Sequence, residues 1–533
     1  EIQPYDTSQL VVSLLLTDTG FSKIKGLITL ASRQSTSYIA VTASFVTDMA
    51  LAKNPIVAVT AANALLASNH YPDYIAPVLD SWIMDASVDV LNLTFSEPVD
   101  IDTFTITDIS LRTAVEDIDS TVIVTLTSAS YISGFYLSNV YIKMGLADVT
   151  SYKKQTPLCT SGITCFLQHT TALVKDVATY NSSDAIVQNS ALVPAVPTNP
   201  YTFVNDTAAP YLLSYDIDIN DGILSMQFSE PVQNSLINPH NIIVYGDVAL
   251  TYYWRFTAHS FSDGVADSLV AMQMSRHDFT GMKSQQLATS LLDLFLYIGA
   301  GTVIDMQSNA ILASEKVDGL YMTATEFIGD VTPPEVAAFM YSSLNETVTI
   351  RFTDAVVAIA ATTNNMLLIS SDSKTILMNQ ASLLTNTNSG EMIFDISSIY
   401  ADSILSNFFI NQDDTNLYID KFSAVTDVSL IAILAITPLA PIRSGNRILA
   451  FRLDMTNKKI VLEMAFNIVI DTLIASYFVL HSSGFSVQYD LTGYRYFNIS
   501  DDGYVVDLQL TEDDYIGILK VLPIDSASYL YLQ

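Results

Sequence analysis

The residues best placed to do chemistry are acids at three linkers of one pattern. Asp73-Tyr-Ile-Ala-Pro77, Asp206-Thr-Ala-Ala-Pro210 and Asp330-Val-Thr-Pro-Pro334 each lead into an apolar strand. A second strand follows each and ends at an acid: Glu97, Glu230 and Asp354. If the two strands form a hairpin, the second returns to the pole where the first began. Asp73 then approaches Glu97, Asp206 approaches Glu230, and Asp330 approaches Asp354. Ca2+ is held by several oxygen ligands, so each pair is a candidate Ca2+ site at a domain junction. In a fourth copy both acids are lost together, to Ile442 and Phe466, as a shared role predicts. The competing reading is an Asp that caps its own turn beside a solvated Glu. Asp216-Ile-Asp-Ile-Asn220-Asp-Gly222 is a poorer calcium loop, because its Gly comes one place late and Glu230 lies beyond the twelfth position.

Signals for catalysis are missing from the sequence. The six His residues (His70, His169, His240, His259, His277 and His481) are scattered, without zinc-ligand spacing. There is no Gly-x-Ser-x-Gly elbow, phosphate loop or dinucleotide fingerprint. The chain is expected not to be an enzyme. Its two cysteines, Cys159 and Cys165, enclose Thr-Ser-Gly-Ile-Thr and are expected to form a disulfide, which fits an oxidising compartment. Glycosylation sequons stand at Asn92, Asn181, Asn205, Asn345 and Asn498.

Composition narrows the partners. With 23 Lys plus Arg against 55 Asp plus Glu, the net charge is −32, which argues against nucleic acid and anionic membrane as partners. Apolar residues make up 50% and charged residues 15%, too apolar for a disordered acidic chain. A mean hydropathy of +0.34 is high for a soluble monomer and points to surface buried between subunits. No apolar run is long enough for a membrane helix, since Val428 to Ile442 is broken by Pro438 and Pro441. The first residue is Glu1 rather than Met, so the chain is expected to be processed or cut from something longer.

The elements that must position these acids recur roughly every 110 to 130 residues. Pro77, Pro210, Pro334 and Asn446 open four copies, and Trp82, Tyr215, Phe339 and Phe451 follow at one spacing. After a polar turn come alternating strands: Leu91, Leu93, Phe95; Leu224, Met226, Phe228; Val348, Ile350, Phe352; and Ile460, Leu462, Met464. Period-two alternation of this kind is a half-buried antiparallel strand. These strands end in Phe95-Ser-Glu-Pro-Val99, Phe228-Ser-Glu-Pro-Val232 and Phe352-Thr-Asp-Ala-Val356. Each copy closes with a Tyr-Ile-like strand, at Tyr38, Tyr141, Tyr297, Tyr418 and Tyr531, with acidic turns at Asp48, Asp148, Asp305 and Asp427. Gln285 to Leu294 could hold short helices, but no helix is expected to alternate regularly with the strands.

These phrases resemble tandem bacterial-type immunoglobulin-like repeats of surface-layer proteins, adhesins and secreted fibrous proteins, including those of algae and protists. The resemblance implies an all-β chain of immunoglobulin-like sandwiches in a bead-like array, with an extracellular structural or adhesive role. The expected units are 77–209, which carries the cysteine loop as an insertion, 210–333 and 334–445. They are flanked by partial repeats at 1–76, without its opening hairpin, and 446–533, without its end. The favoured function is a subunit of an extracellular filament or surface assembly, such as a flagellar hair (mastigoneme) or surface layer, polymerising with itself. The alternative is an adhesin or cell-surface receptor ectodomain that binds a glycan or a protein. Tyr152, Tyr252, Tyr253 and Tyr494 fall outside the core alternation and suit subunit interfaces.

Overall fold

The computed structural model describes residues 2–4, 11–27, 29–116, 121–182, 185–194, 196–257, 260–262, 266–287, 289–342, 344–358, 363–370, 374–400, 415–419, 425–434, 436, 442–455, 457–468, 473–474, 477–481, 488–500, 503–521 and 529–532. The fold is all-β, a series of immunoglobulin-like sandwiches with short helices between strands. No helix among the described residues is long and apolar enough to cross a membrane.

Each sandwich opens with the hairpin that the alternation predicts. Leu79–Asp85 pairs with Val90–Phe95, Leu212–Asp218 with Ile223–Val232, Val336–Ser342 with Thr347–Val356, and Ile448–Asp454 with Lys459–Met464. The four hairpins share a bulge, where the register shifts after Leu79, Leu212, Val336 and Ile448. The residue before each second strand is left-handed: Asp89, Gly222, Glu346 and Lys458, with φ of 51°, 70°, 51° and 55°. Only the second copy places a glycine there, so the turn is held by the hairpin rather than by residue type. Alternate side chains of the second strands face inward, and Leu93, Met226, Phe228, Ile350 and Phe352 are buried completely.

A second sheet closes each core. In the second sandwich it runs Tyr253–Arg255, Ile242–Tyr245, Phe295–Ile298 and Met322–Thr323. Its counterpart in the third is Thr375–Leu377, Met366–Ser370, Thr415–Ile419 and Ile442–Arg443. In the fourth it is Gln488–Asp490, Phe478–His481 and Tyr529–Leu532. Separate apolar cores fill the sandwiches, centred on Trp82, Tyr215, Phe339 and the Ile460–Leu462 strand. Cys159 and Cys165 are joined in a disulfide beside the first of these cores.

One element differs from the sequence expectation. A short helix recurs ahead of the strand that closes the second sheet: α1 (Asp18–Lys25), α2 (Leu146–Lys153), α3 (Arg276–Ser284), α4 (Ser397–Tyr400) and α5 (Glu512–Val521). Tyr141 is not on that closing strand, because Asn139–Lys143 pairs with Val90–Phe95 beside the opening hairpin and Phe166–Gln168 takes the closing place. Caps were the legible signal. Thr17 accepts from Gly20 N–H, Ser275 from Asp278 N–H and Thr511 from Asp514 N–H. Asp148 also belongs to these helices and not to the acidic turns. It accepts from Thr127 N–H and the Ser130 hydroxyl, as Asp278 does from Thr257 N–H and the Ser260 hydroxyl.

The array is more than beads in a line. Arg276 of α3 pairs with Glu463 at 3.0 Å, and the Arg452 guanidinium lies 4.0 Å from the centre of the Phe261 ring. The fourth sandwich therefore packs on the second as well as following the third.

Candidate functional site: a lysine in an acidic triad at three junctions

The hairpins bring each linker acid to its partner, as the spacing predicts, and add a third acid. The groups are Asp73, Glu97 and Asp176; Asp206, Glu230 and Asp305; and Asp330, Asp354 and Asp427. One carboxylate oxygen from each member lies within 4.8 Å of the others. The third acid is placed by strand pairing. Asp176 faces Val99, Asp305 faces Val232 and Asp427 faces Val356, the valine or its counterpart two residues past the hairpin acid. Asp305 and Asp427 are legible in the sequence as acidic turns. Asp176 is not, because Tyr141 reads as the closing strand in the sequence. Asp176 follows the true one, Phe166–Gln168, and the cysteine loop before it occupies the same connection as residues 285–294 of the next unit and is not an insertion.

A lysine from the preceding unit enters each triad. Lys25 pairs with Asp73 and Glu97. Lys153 reaches Asp206 and Glu230, both at 2.8 Å, and Asp89 at 3.1 Å. Lys283 reaches Asp330 at 2.8 Å and Asp354 at 2.5 Å. All three lysines stand eight residues after a helix N-cap, Thr17, Gly145 or Ser275. That position puts the ammonium at the helix C-terminus, where the macrodipole favours a cation. Phe21 and Phe279, one turn earlier, lie under the ammoniums of Lys25 and Lys283 at 4.8 and 4.2 Å from their ring centres. The helices themselves cross the junctions: Thr150 of α2 donates to Ser268 of the next unit at 2.9 Å. The sequence reading found the acids and missed these lysines. Their signal was a Lys at a fixed distance from a cap residue in successive repeats.

Burial makes these ion pairs consequential. Lys153 and Lys283 are 8% and 2% exposed, and Glu97, Glu230 and Asp354 are 6%, 4% and 4% exposed. Burial alone would lower the Lys25 and Lys153 pKa values, but their carboxylate partners outweigh it and hold both above the ordinary lysine value. Burial raises Glu97 and Asp354, and pushes Glu230 up to about 7 against the attraction of Lys153. The third acids are also raised by burial, Asp176 to about 7 and Asp427 to about 6. No ion pair to a third acid accompanies those of the lysines among the described residues.

At the third-to-fourth junction apolar residues take the place of the triad, while Tyr504 of the fourth unit donates to Glu391 at 3.1 Å under the Arg351 guanidinium of the third. Phe466 is buried with Ala338 and Ala465 against Met340 and Leu449, and Ile442 lies on a strand paired with Leu417. The lysine is lost with the acids, for neither Lys nor Arg occurs between Lys374 and Lys421.

The remaining candidates fall outside this site. Asp218 of the disfavoured calcium loop accepts from Asn220 and Asp221 N–H in its hairpin turn. Asn205, Asn345 and Asn498 are exposed, Asn92 is half-buried with its side-chain oxygen enclosed, and the Asn181 side chain lies outside the described residues. Tyr152 is no surface residue: it is 1% exposed and its hydroxyl donates to Asp89 at 2.8 Å. Tyr252 and Tyr253 are exposed.

No family model and no curated protein matches the chain. Among solved structures it is similar to the I9–I11 tandem from titin, at 7% identity and TM-score 0.13 over 66% of this chain and 96% of that one. It is similar to the S-layer protein rSbsC at 9% identity and TM-score 0.13, over 86% of this chain and 53% of that one. It is also similar to the FN1–FN3 domains of chicken CNTN1, at 7% identity and TM-score 0.15 over 69% and 99%. TM-scores this low carry no argument, and the fold assignment rests on the strands and cores described above.

Proposed function

We propose that this chain is a structural subunit of an extracellular filament or surface assembly, built from immunoglobulin-like units at 77–209, 210–333 and 334–445 with partial repeats at 1–76 and 446–533. The observation that carries this reading is the same buried lysine–carboxylate contact at three successive junctions. A receptor strung on flexible linkers has no need to fix each joint, whereas a subunit that must keep a repeat spacing does. Self-association is supported by exposed apolar side chains along the Tyr38–Leu66 region, where Met49, Leu51 and Val57 are 82%, 107% and 86% exposed.

The test is light scattering with negative-stain electron microscopy, at low and physiological salt. A net charge of −32 opposes assembly, and screening within about 8 Å at physiological salt favours it. Filaments or sheets that grow with salt support the reading; a monomer under every condition overturns it. A second reading, an adhesin or receptor ectodomain, is favoured by one feature. Tyr321 stacks on Tyr245 at 5.6 Å and contacts Tyr297 at 5.1 Å, with Lys316 over its ring, an aromatic platform of the kind that binds sugar faces. Binding of this chain to a glycan array, lost in Tyr321→Ala, would support that reading.

A further inference from the structure

We propose that the first and third acidic triads each bind one Ca2+ beside the lysine, and that the second does not. The argument begins with charge. Three carboxylates and one ammonium leave each fully ionised triad two charges short of neutrality, the charge of one divalent cation. In the first and third triads the lysine satisfies the linker acid and the hairpin acid on one side only.

The second observation is a set of oxygens without donors. Asp176 and Asp427 are both 0% exposed. Each gives one carboxylate oxygen to its own turn, Asp176 to Ala178 N–H and Asp427 to Ile431 N–H. The other oxygen, Oδ2 in both, is enclosed and has no hydrogen-bond partner, and Glu97 Oε1 is in the same state. A buried carboxylate oxygen without a donor or cation is costly to keep. In the second triad the corresponding oxygen is satisfied: Asp305 Oδ2 accepts from Asn309 Nδ2 at 2.8 Å. The Asn309 amide thus stands where the other two triads have a bare oxygen.

Calcium fits the ligand set better than magnesium. Oxygens within 4.8 Å of one another can reach one cation together, and Ca2+ accepts an irregular all-protein carboxylate set, whereas Mg2+ demands near-octahedral order and keeps several waters. The triads are carboxylate-rich and irregular, with Asp73, Glu97 and Asp176 in the first and Asp330, Asp354 and Asp427 in the third. The binding claim depends on these side chains alone and stands even if the filament reading falls.

The test is calorimetric titration of Ca2+ into the full chain after EDTA treatment, at pH 8. We expect two sites per chain, with little heat from Mg2+. Asp176→Asn and Asp427→Asn, nearly isosteric changes, should each remove one site. Asp305→Asn and the exposed-turn control Asp48→Asn should leave both. Circular dichroism of each variant checks that it folds. Absence of Ca2+ heat in the folded wild-type chain would overturn the proposal, as would heat that survives the Asp176→Asn/Asp427→Asn double variant. Light scattering of the same samples reports assembly separately, so a failure of binding and a failure of filament formation are distinguishable.

Discussion

Replacing Lys283 with Met should destabilise the second-to-third junction more than most surface or core substitutions do. Lys283 lies 2.8 Å from Asp330 and 2.5 Å from Asp354, and the side chains of the three residues are 2%, 2% and 6% exposed. Met keeps the length and most of the volume, so the change removes charge with little loss of packing. It leaves two buried carboxylates without their cation, beside Asp427, which is 0% exposed. Breaking a buried pair by deleting one partner costs about 3–5 kcal/mol. The same principle says that replacing the whole group with apolar residues is about neutral or stabilising. The third-to-fourth junction already carries that replacement, with Phe466 packed against Ala338 and Ala465. Lys283→Met/Asp330→Ile/Asp354→Leu should therefore recover most of what Lys283→Met loses. The reporter is Trp254, whose indole N–H donates to Asp278 of α3 at 3.0 Å, in a Trp82→Phe background that removes the other of the two tryptophans. Guanidinium denaturation followed by Trp254 emission gives the comparison. A single-variant midpoint within about 0.5 kcal/mol of the parent, the range of ordinary surface changes, would refute the reasoning. So would a triple variant no more stable than the single one.

Three further outcomes follow from the same structure. Glu230 is held at about 7 in the folded chain, above the ordinary value of 4.5. The folded state therefore binds its proton more tightly, and stability should be greatest below the unfolded pKa and fall as pH rises from about 5 through 7, by at most about 3 kcal/mol; Glu230→Gln should flatten that slope in urea denaturation at a series of pH values. Gly281→Ala should cost roughly 1–3 kcal/mol, because a Cβ there would meet the Trp254 ring at 2.1 Å; a shift of Trp254 emission and a lower melting temperature are the checks. Cys159→Ser/Cys165→Ser opens a loop with a sequence separation of 6, and should lower stability by roughly 2 kcal/mol, matched by reducing the parent chain and measured by calorimetry.

The opening hairpins were legible because burial on one face imposes a period of two. Leu93, Phe95, Met226, Phe228, Ile350 and Phe352 were named from that period alone, and none is more than 2% exposed. The acid pairs were legible for the same reason, since a hairpin returns its end to its start. The helices were harder to read. α2 has only eight residues and a Gly145 N-cap without a side chain to mark it. Its buried face is supplied partly by the next unit, as Thr150 to Ser268 shows, so no apolar stripe of its own announces it. The lysines were missed because reading an acidic cluster as a metal site looks for anions only. Asp176 was missed because Tyr141 reads as the closing strand; the strand that closes the second sheet is Phe166–Gln168, and Asp176 stands nine residues after Leu167, as Asp427 stands nine after Tyr418. The contact of the second and fourth sandwiches through Arg276 and Glu463 is likewise a tertiary fact with no sequence period.

The distribution of the triads along the chain bears on how such a joint can change. A buried lysine between two buried acids is a three-body arrangement, and losing any one member strands the others at a cost of several kcal/mol. A unit of marginal stability tolerates few such losses. Intermediate states with one or two members should therefore be rare, and repeats should keep all three or none. The chain fits that expectation. Lys25, Lys153 and Lys283 each face a complete acid pair. The one junction where the acids have become Ile442 and Phe466 follows a segment without any basic residue from 375 to 420. The fifth helix points the same way. Eight residues after its cap Thr511 stands Leu519, 46% exposed, where α1, α2 and α3 carry the lysine. The apolar packing around Phe466 does not fix direction as strongly as a charged contact, because dispersion contacts tolerate sliding where a 2.5 to 2.8 Å ion pair does not. The fourth sandwich also makes a contact beyond its neighbour in sequence, with Glu463 on Arg276 and Arg452 on Phe261 holding it against the second. With Tyr504 on Glu391 and Arg351 at the joint itself, these contacts supply direction where the triad is gone.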